Sequence, residues 1–208
     1  MKISFAISVC NEFEEIQKLL SFLVTHKRNE DEIVILFDAE NGSPSVESYL
    51  RAQSVNNPKF RWHSYKFDGH FADMKNHLTN LCTGDYIYQI DADEMVSEFI
   101  LEALPQVLES NDIDVLRVPR INTVSDLTQE HINKWGWNVN ANGWVNFPDY
   151  QWRIYKNNAE ILWINKVHEV LTGYKTHTDL PMDSEWCLLH PKDIKRQERQ
   201  NAYYETLQ

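Results

Sequence analysis

The sequence predicts an α/β fold, a mainly parallel sheet flanked by helices, and three features carry that expectation. Through the first half, hydrophobic periods suited to strands alternate with periods suited to helices, as in strand–helix–strand crossovers. Strand-like runs stop abruptly at polar residues, as they do where an open α/β sheet meets its ligand crevice. After residue 119 the pattern loosens into a stretch rich in tryptophan and asparagine.

The elements follow in order. Ile3-Ser4-Phe5-Ala6-Ile7-Ser8-Val9 reads as a strand, and residues 12–25 as a helix with Ile16, Leu19, Leu20 and Leu23 on one face. Residues 32–37 form a second strand ending at Asp38 and a turn through Asn41, Gly42 and Pro44. A short helix follows Pro44 with Val46, Tyr49 and Leu50, then a weaker strand at 60–65. Residues 70–82 make a helix burying Phe71, Met74, Leu78 and Leu81, with Gly84 as its cap. Tyr86, Ile87, Tyr88 and Ile90 form a strand, since aromatic and β-branched side chains fill a pleated surface. The helix at 98–110 contains Pro105, which should kink or split it. Residues 115–118 resume the strand pattern. Residues 120–150, with Trp135, Trp137 and Trp144, read as neither helix nor strand. Such long segments are lids or linkers, and so many tryptophans bury too much surface for disorder. Regular pattern returns at 151–155 and 161–164, and residues 194–207 read as a polar helix.

Bulk properties narrow the classes. The 208 residues suffice for one domain with a sizeable core, and 42% hydrophobic with 25% charged residues is an ordinary globular balance. No apolar run approaches the ~18 residues of a membrane span, and the N-terminus lacks a signal-peptide pattern. Cys10, Cys82 and Cys187 are odd in number and widely spaced, which points to buried free thiols in a reducing cytoplasm. A net charge of −11 argues against broad binding to nucleic acid or anionic lipid. The only dense basic cluster is Lys192, Lys195, Arg196 and Arg199.

The chemistry concentrates at Asp91-Ala92-Asp93-Glu94. Side chains alternate along a strand, so Asp91 and Asp93 can face the same way, as a divalent cation and a diphosphate would require. Taken alone, the motif is equally a solvated turn or a helix start. Asn11 and Glu12, Asp38, and Asp91 to Glu94 each follow an apolar strand, so three strand ends converge on one crevice.

These residues, in this order, resemble family 2 glycosyltransferases, the GT-A enzymes that use nucleotide-activated sugars. The resemblance runs through Ile7-Ser8-Val9-Cys10-Asn11-Glu12, Asp38, Lys75-Asn76 and Gly84-Asp85-Tyr86-Ile87 into the Asp-x-Asp position. The second half is similar to short bacterial members that modify lipopolysaccharide cores, at Arg153-Ile154-Tyr155, Val167-His168-Glu169 and His190. Asn41 and Ser43 stand where members often carry a second acidic residue, and the Gly-Glu-Asp base motif is absent. So is the Gln-x-x-Arg-Trp of processive synthases, which argues against polymer synthesis.

The resemblance implies transfer of one sugar from a nucleotide-sugar donor, a UDP-sugar first, to a glycan or other hydroxyl acceptor with inversion. It implies a single domain, with residues 1–119 binding the donor and 120–208 the acceptor. Mn2+ or Mg2+ would sit on Asp91 and Asp93 with His190 third. The backbone at Val9, with Glu12, Asp38, Lys75, Asp91 and Arg196, would contact the donor. Glu12 serves equally as a helix start, Lys75 as an exposed helix lysine, Arg196 as part of a solvated face, and His190 as a structural residue. Glu169 is the favoured general base and Asp149 the alternative, although His168-Glu169 can equally be a structural pair. Trp135, Trp137, Trp144 and Trp152 suit an acceptor platform or a packed lid. Two other classes compete: a sugar-nucleotide pyrophosphorylase, which wants a glycine-rich loop that Cys10-Asn11-Glu12-Phe13 is not, and a non-catalytic carbohydrate- or nucleotide-sugar-binding module. A nucleic-acid acceptor draws no support from the acidic charge.

Overall fold

Strand β1 (Ile3–Val9) is apolar on both faces and lies between two parallel neighbours, β2 (Glu32–Asp38) and β4 (Tyr86–Asp91). The computed structural model describes residues 1–58 and 60–207, the side chains of residue 56 and of residues 204–207 excepted. β3 (Phe60–Tyr65) pairs parallel with β2 at the edge. Helices α1 (Phe13–His26), α2 (Pro44–Asn56), α3 (Phe71–Leu81) and α4 (Glu98–Ser110) make the crossovers. Each face of the sheet buries its own cluster. One holds Phe5, Ile7, Leu19, Leu23, Tyr88 and Leu104, and the other Leu36, Met74, Leu78, Ile87 and Trp163.

The second half completes the same sheet, whose order is β10-β5-β6-β4-β1-β2-β3. β5 (Val115–Ser125) crosses position 119, and β6 (Val145–Lys156) lies antiparallel between β4 and β5. β7 (Leu162–Ile164) and β8 (Val170–Thr172) form a separate hairpin, while β9 (His177–Asp179) adds to β5. β10 (Leu188–Asp193) runs parallel to β5 and leads into α6 (Ile194–Leu207).

Several expectations are corrected. Residues 120–150 are not irregular: β5 continues to Ser125, α5 (Gln129–Trp135) follows, and β6 begins at Val145. Two register shifts and half-exposed faces blur the alternation of β5 and β6. α5 starts on a capping box between Thr128 and His131, where the usual partner is Glu or Gln. α4 runs unbroken through Pro105, whose ring is on the buried face, so apolar contact offsets the missing N–H bond. α2 is a full thirteen residues rather than short. Gly84 does not cap α3, which ends at Cys82 with an extended backbone. Its role is close approach, because a Cβ there would stand 2.7 Å from the Ser4 nitrogen. Of the three free cysteines, Cys82 and Cys187 are buried but Cys10 is only half-buried.

Candidate active site

A cleft of about 1540 Å³ opens at the carboxyl ends of β1, β2 and β4, roofed by the second half of the chain. A single small ligand usually occupies about 300–1,000 Å³, so this volume has room for two. The parallel sheet brings Val9, Glu12, Asp38, Asp91 and Asp93 to it; α3 contributes Lys75, and β6 and the β7–β8 hairpin contribute Asp149 and Glu169. His190 and Arg196 enter from β10 and α6. Lys192 and Arg199 line it too, as do Trp135, Trp137, Trp152 and Trp163; Lys195 and Trp144 do not.

The acidic motif is a turn rather than a strand continuation. β4 ends at Asp91, where the Glu94 backbone N–H donates to the Asp91 carbonyl at 2.9 Å and Glu94 Oε2 accepts from the Asp91 N–H at 3.0 Å. Asp91 and Asp93 therefore share the cleft through the turn, not through strand alternation. Glu94 is wholly buried, and the turn is not solvated there. Its charge is met by two arginines absent from the sequence-based site. Arg153 donates through one nitrogen to Asp91 Oδ2 at 2.5 Å and Glu94 Oε1 at 2.6 Å. Arg120 donates to Glu94 Oε1 at 3.0 Å and to Asp149 Oδ2 at 2.7 Å. Burial works to raise the Asp91 pKa, yet the Arg153 and Lys75 charges hold it below the usual carboxylate range. The signal for Arg153 was available, since an arginine inside the apolar run of β6 needs buried partners. Arg120 and Asn122 lie two apart on β5, hence on one face, opposite Asp149 and next to His190 in register.

Asp93 faces a basic side of the cleft. His190 Nε2 lies 3.2 Å from Asp93 Oδ2, Arg196 3.2 Å and Lys192 3.9 Å away. Burial would raise the Asp93 pKa, but the His190 hydrogen bond and these charges depress it strongly. Arg196 also reaches Glu15 at 2.7 Å and Glu12 at 3.4 Å, tying α6 to the start of α1. Among the described residues, no three His, Cys, Asp or Glu side chains are arranged as a metal cluster. Asp93 and His190 nevertheless fit one edge of a divalent site. Two neighbouring ligands of an octahedral ion with bonds of about 2.1 Å stand roughly 3 Å apart, and such ions keep waters and phosphate oxygens elsewhere.

Around the β1 and β2 ends, carboxylates organise the backbone. Glu12, at the α1 N-cap, folds its Oε2 back onto the Cys10 and Asn11 N–H groups at 2.9 and 3.0 Å. Asp38 accepts from the Glu40 and Asn41 N–H groups and from the Asn41 amide at 2.9 Å. Burial, Asp38 and Glu12 push the Cys10 thiol up to about 12, so it stays protonated and is no nucleophile. Lys75 is buried rather than exposed, 3.0 Å from Glu169 and 4.5 Å from the Trp163 ring centroid. The Asn76 amide pairs with both backbone groups of Trp163, docking the hairpin that carries Glu169 on α3. Trp135 and Trp137 pack with centroids 4.6 Å apart.

Residues 4–175 match the sequence pattern of Glycosyl transferase family 2. The chain belongs to that family. Among solved structures, this family 2 chain resembles S. aureus TarS 1-349 in complex with UDP-GlcNAc, with a TM-score of 0.65 and 14% identity. That match covers 92% of this chain and 59% of TarS 1-349. TarS 1-349 in complex with UDP matches at 0.65 and 13%, covering 92% and 60%. The chain thus spans about three fifths of the TarS structures it matches. The mannosyltransferase PcManGT from Pyrobaculum calidifontis, in complex with GDP-Man and Mn2+, matches at 0.50 and 16%, covering 57% of this chain and 35% of that one. Among curated proteins no sequence match is found. The shared fold is GT-A, a mostly parallel sheet between helices. Among the described residues, no helix is long and apolar enough to cross a membrane.

Proposed function

We propose that this family 2 chain transfers a single sugar from a nucleotide-sugar donor, a UDP-sugar first, to a hydroxyl acceptor with inversion. The observation that carries it is the meeting of Asp93, His190, Lys192 and Arg196 in a cleft large enough for donor and acceptor together. The donor complexes of TarS and PcManGT support a sugar nucleotide, and the Mn2+ of the latter supports a cation.

Residues 1–119 hold the donor in this reading. The Val9 backbone, Glu12 and Asp38 border the nucleoside, while Lys192 and Arg196 meet the diphosphate. Asp93 and His190 would hold Mn2+ or Mg2+, and Asp91, fixed by Arg153, contributes through water. The ion supplies Lewis-acid neutralisation of the departing diphosphate. Residues 120–208 receive the acceptor against Trp135 and Trp137, whose faces stack on a sugar ring.

Inversion requires a base that takes the acceptor hydroxyl proton as the anomeric carbon is attacked. Glu169 is the better candidate. Asp149 lies below the usual range because Arg120, Asn122 and Gln151 outweigh the burial that would raise it, so it holds a proton poorly. Glu169 sits across the cleft, fixed by Lys75. The three unpaired cysteines support a reducing, cytoplasmic setting.

The deciding measurement is a thermal-shift panel of UDP-, GDP-, CMP- and TDP-sugars with and without Mn2+. A ligand at a hundred times its Kd adds ~2.7 kcal/mol of stability. At about 2–4 °C per kcal/mol for a domain of this size, the matching donor should raise the Tm by roughly 5–10 °C, and only with Mn2+. A flat panel in both conditions refutes the reading.

A further inference from the structure

We propose that Asn122 is a positioning residue that keeps the His190 ring protonated on Nδ1, so that Nε2 presents its lone pair to a divalent cation beside Asp93. The inference deepens the metal assignment proposed above and rests on it. It begins from a hydrogen-bond chain in which each member has only one orientation left. Asp149, ionised and gripped by Arg120, can only accept. The Asn122 group 2.8 Å from Asp149 Oδ2 is therefore its amide nitrogen. The opposite atom, Oδ1, accepts, and it lies 2.6 Å from His190 Nδ1. Nδ1 must then carry hydrogen. Reversing the amide would aim Oδ1 at the Asp149 carboxylate, and removing the Nδ1 proton would set two lone pairs 2.6 Å apart. Cross-strand pairing enforces the arrangement, since Asn122 on β5 is the register partner of His190 on β10.

The consequence lies on the other side of the ring. Nε2 is 3.2 Å from Asp93 Oδ2, the spacing of adjacent ligands on one ion. Imidazole ligates through a bare nitrogen, and a partner on the far nitrogen fixes which one is bare. Asn122 thereby joins His190 to the run of bonds through Asp149, Arg120, Glu94 and Arg153 that ends on Asp91. The two aspartates of the motif are held from opposite ends of one network.

The test uses the full chain labelled with 15N-histidine, without metal, at pH 8. The His190 ring in the wild type should show hydrogen on Nδ1. Asn122→Asp keeps an acceptor toward Nδ1 and should retain that pattern. Asn122→Leu removes it and should move the proton to Nε2, against Asp93. Mn2+ titration followed by EPR should show binding weakened by about 10–100-fold in Asn122→Leu and changed only a few-fold in Asn122→Asp. A wild type protonated on Nε2 alone, or an Asn122→Leu variant that binds Mn2+ as tightly as wild type, overturns the inference. If neither variant folds, the wild-type ring spectrum decides. A wild type that takes up no Mn2+ overturns the metal assignment as well, and is told apart because the unaltered chain itself fails.

Discussion

Replacing Arg153 with methionine should test whether the acidic motif is held by buried charge. The Arg153 side chain is 3% exposed, and Glu94 is 0% exposed. Methionine fills similar volume and offers Glu94 and Asp91 nothing. Removing one partner of a buried pair costs about 3–5 kcal/mol, because the remaining charge is stranded. The lower end applies here, since Arg120 still touches Glu94 at 3.0 Å and the Asp91 side chain is 33% exposed to water. About 3 kcal/mol corresponds to a Tm roughly 6–12 °C below wild type. Urea denaturation of Arg153→Met, Glu94→Gln and the double variant then forms a cycle. The double variant should lose at least ~1 kcal/mol less than the sum of the singles, because neutral glutamine leaves no stranded carboxylate at position 94. Strict additivity, together with a cost under ~1 kcal/mol for Arg153→Met, would show that packing and not charge fixes the turn.

Three further outcomes are expected. Burial would raise the Glu32 pKa, but hydrogen bonds from Ser4, Thr83 and Lys2 bring it from 4.5 down to about 2. Its stabilisation, about 3 kcal/mol at ~1.4 kcal/mol per unit, is present above pH ~4.5 and lost as pH falls toward 2. Glu32→Gln should therefore unfold more easily than wild type at pH 7 in urea, with the gap closing in acid; a gap independent of pH rejects this. Gly84→Ala places a methyl against the Ser4 nitrogen and should cost about 1–3 kcal/mol, which an unchanged melting curve would contradict. Glu169→Gln should cut turnover by about 10²-fold or more while leaving the donor-induced thermal shift intact; undiminished turnover moves the base to Asp149.

How much of this could be read from residue order depends on how local each interaction is. β1 to β4 were legible because each strand is apolar throughout and each crossover helix follows within a few residues, so periodicity reports burial directly. The expected contributors to the site also line the cleft, for a topological reason: parallel strands end on the same side, so residues just past Val9, Phe37 and Ile90 are brought together whatever their roles.

The second half resisted because its pairing partners are distant in sequence and its burial is shared with charge. β6 inserts between strands that begin some 60 and 30 residues earlier, and its outer half is partly exposed, so neither alternation nor a continuous apolar run marks it. The same distance hid the arginines. Arg153 and Glu94 are 59 positions apart and Arg120 and Asp149 are 29 apart, and each alone reads as an ordinary surface charge. Burying any one of them is affordable only with the others in place, which is a property of the closed sheet. A charged residue flanked by a strand's buried positions, as Arg153 is by Ile154 and Tyr155, is therefore the sequence signal to follow. It asserts that an opposite charge exists elsewhere in the chain, and in this fold the nearest strand ending in carboxylates is the one that carries Asp91 and Glu94.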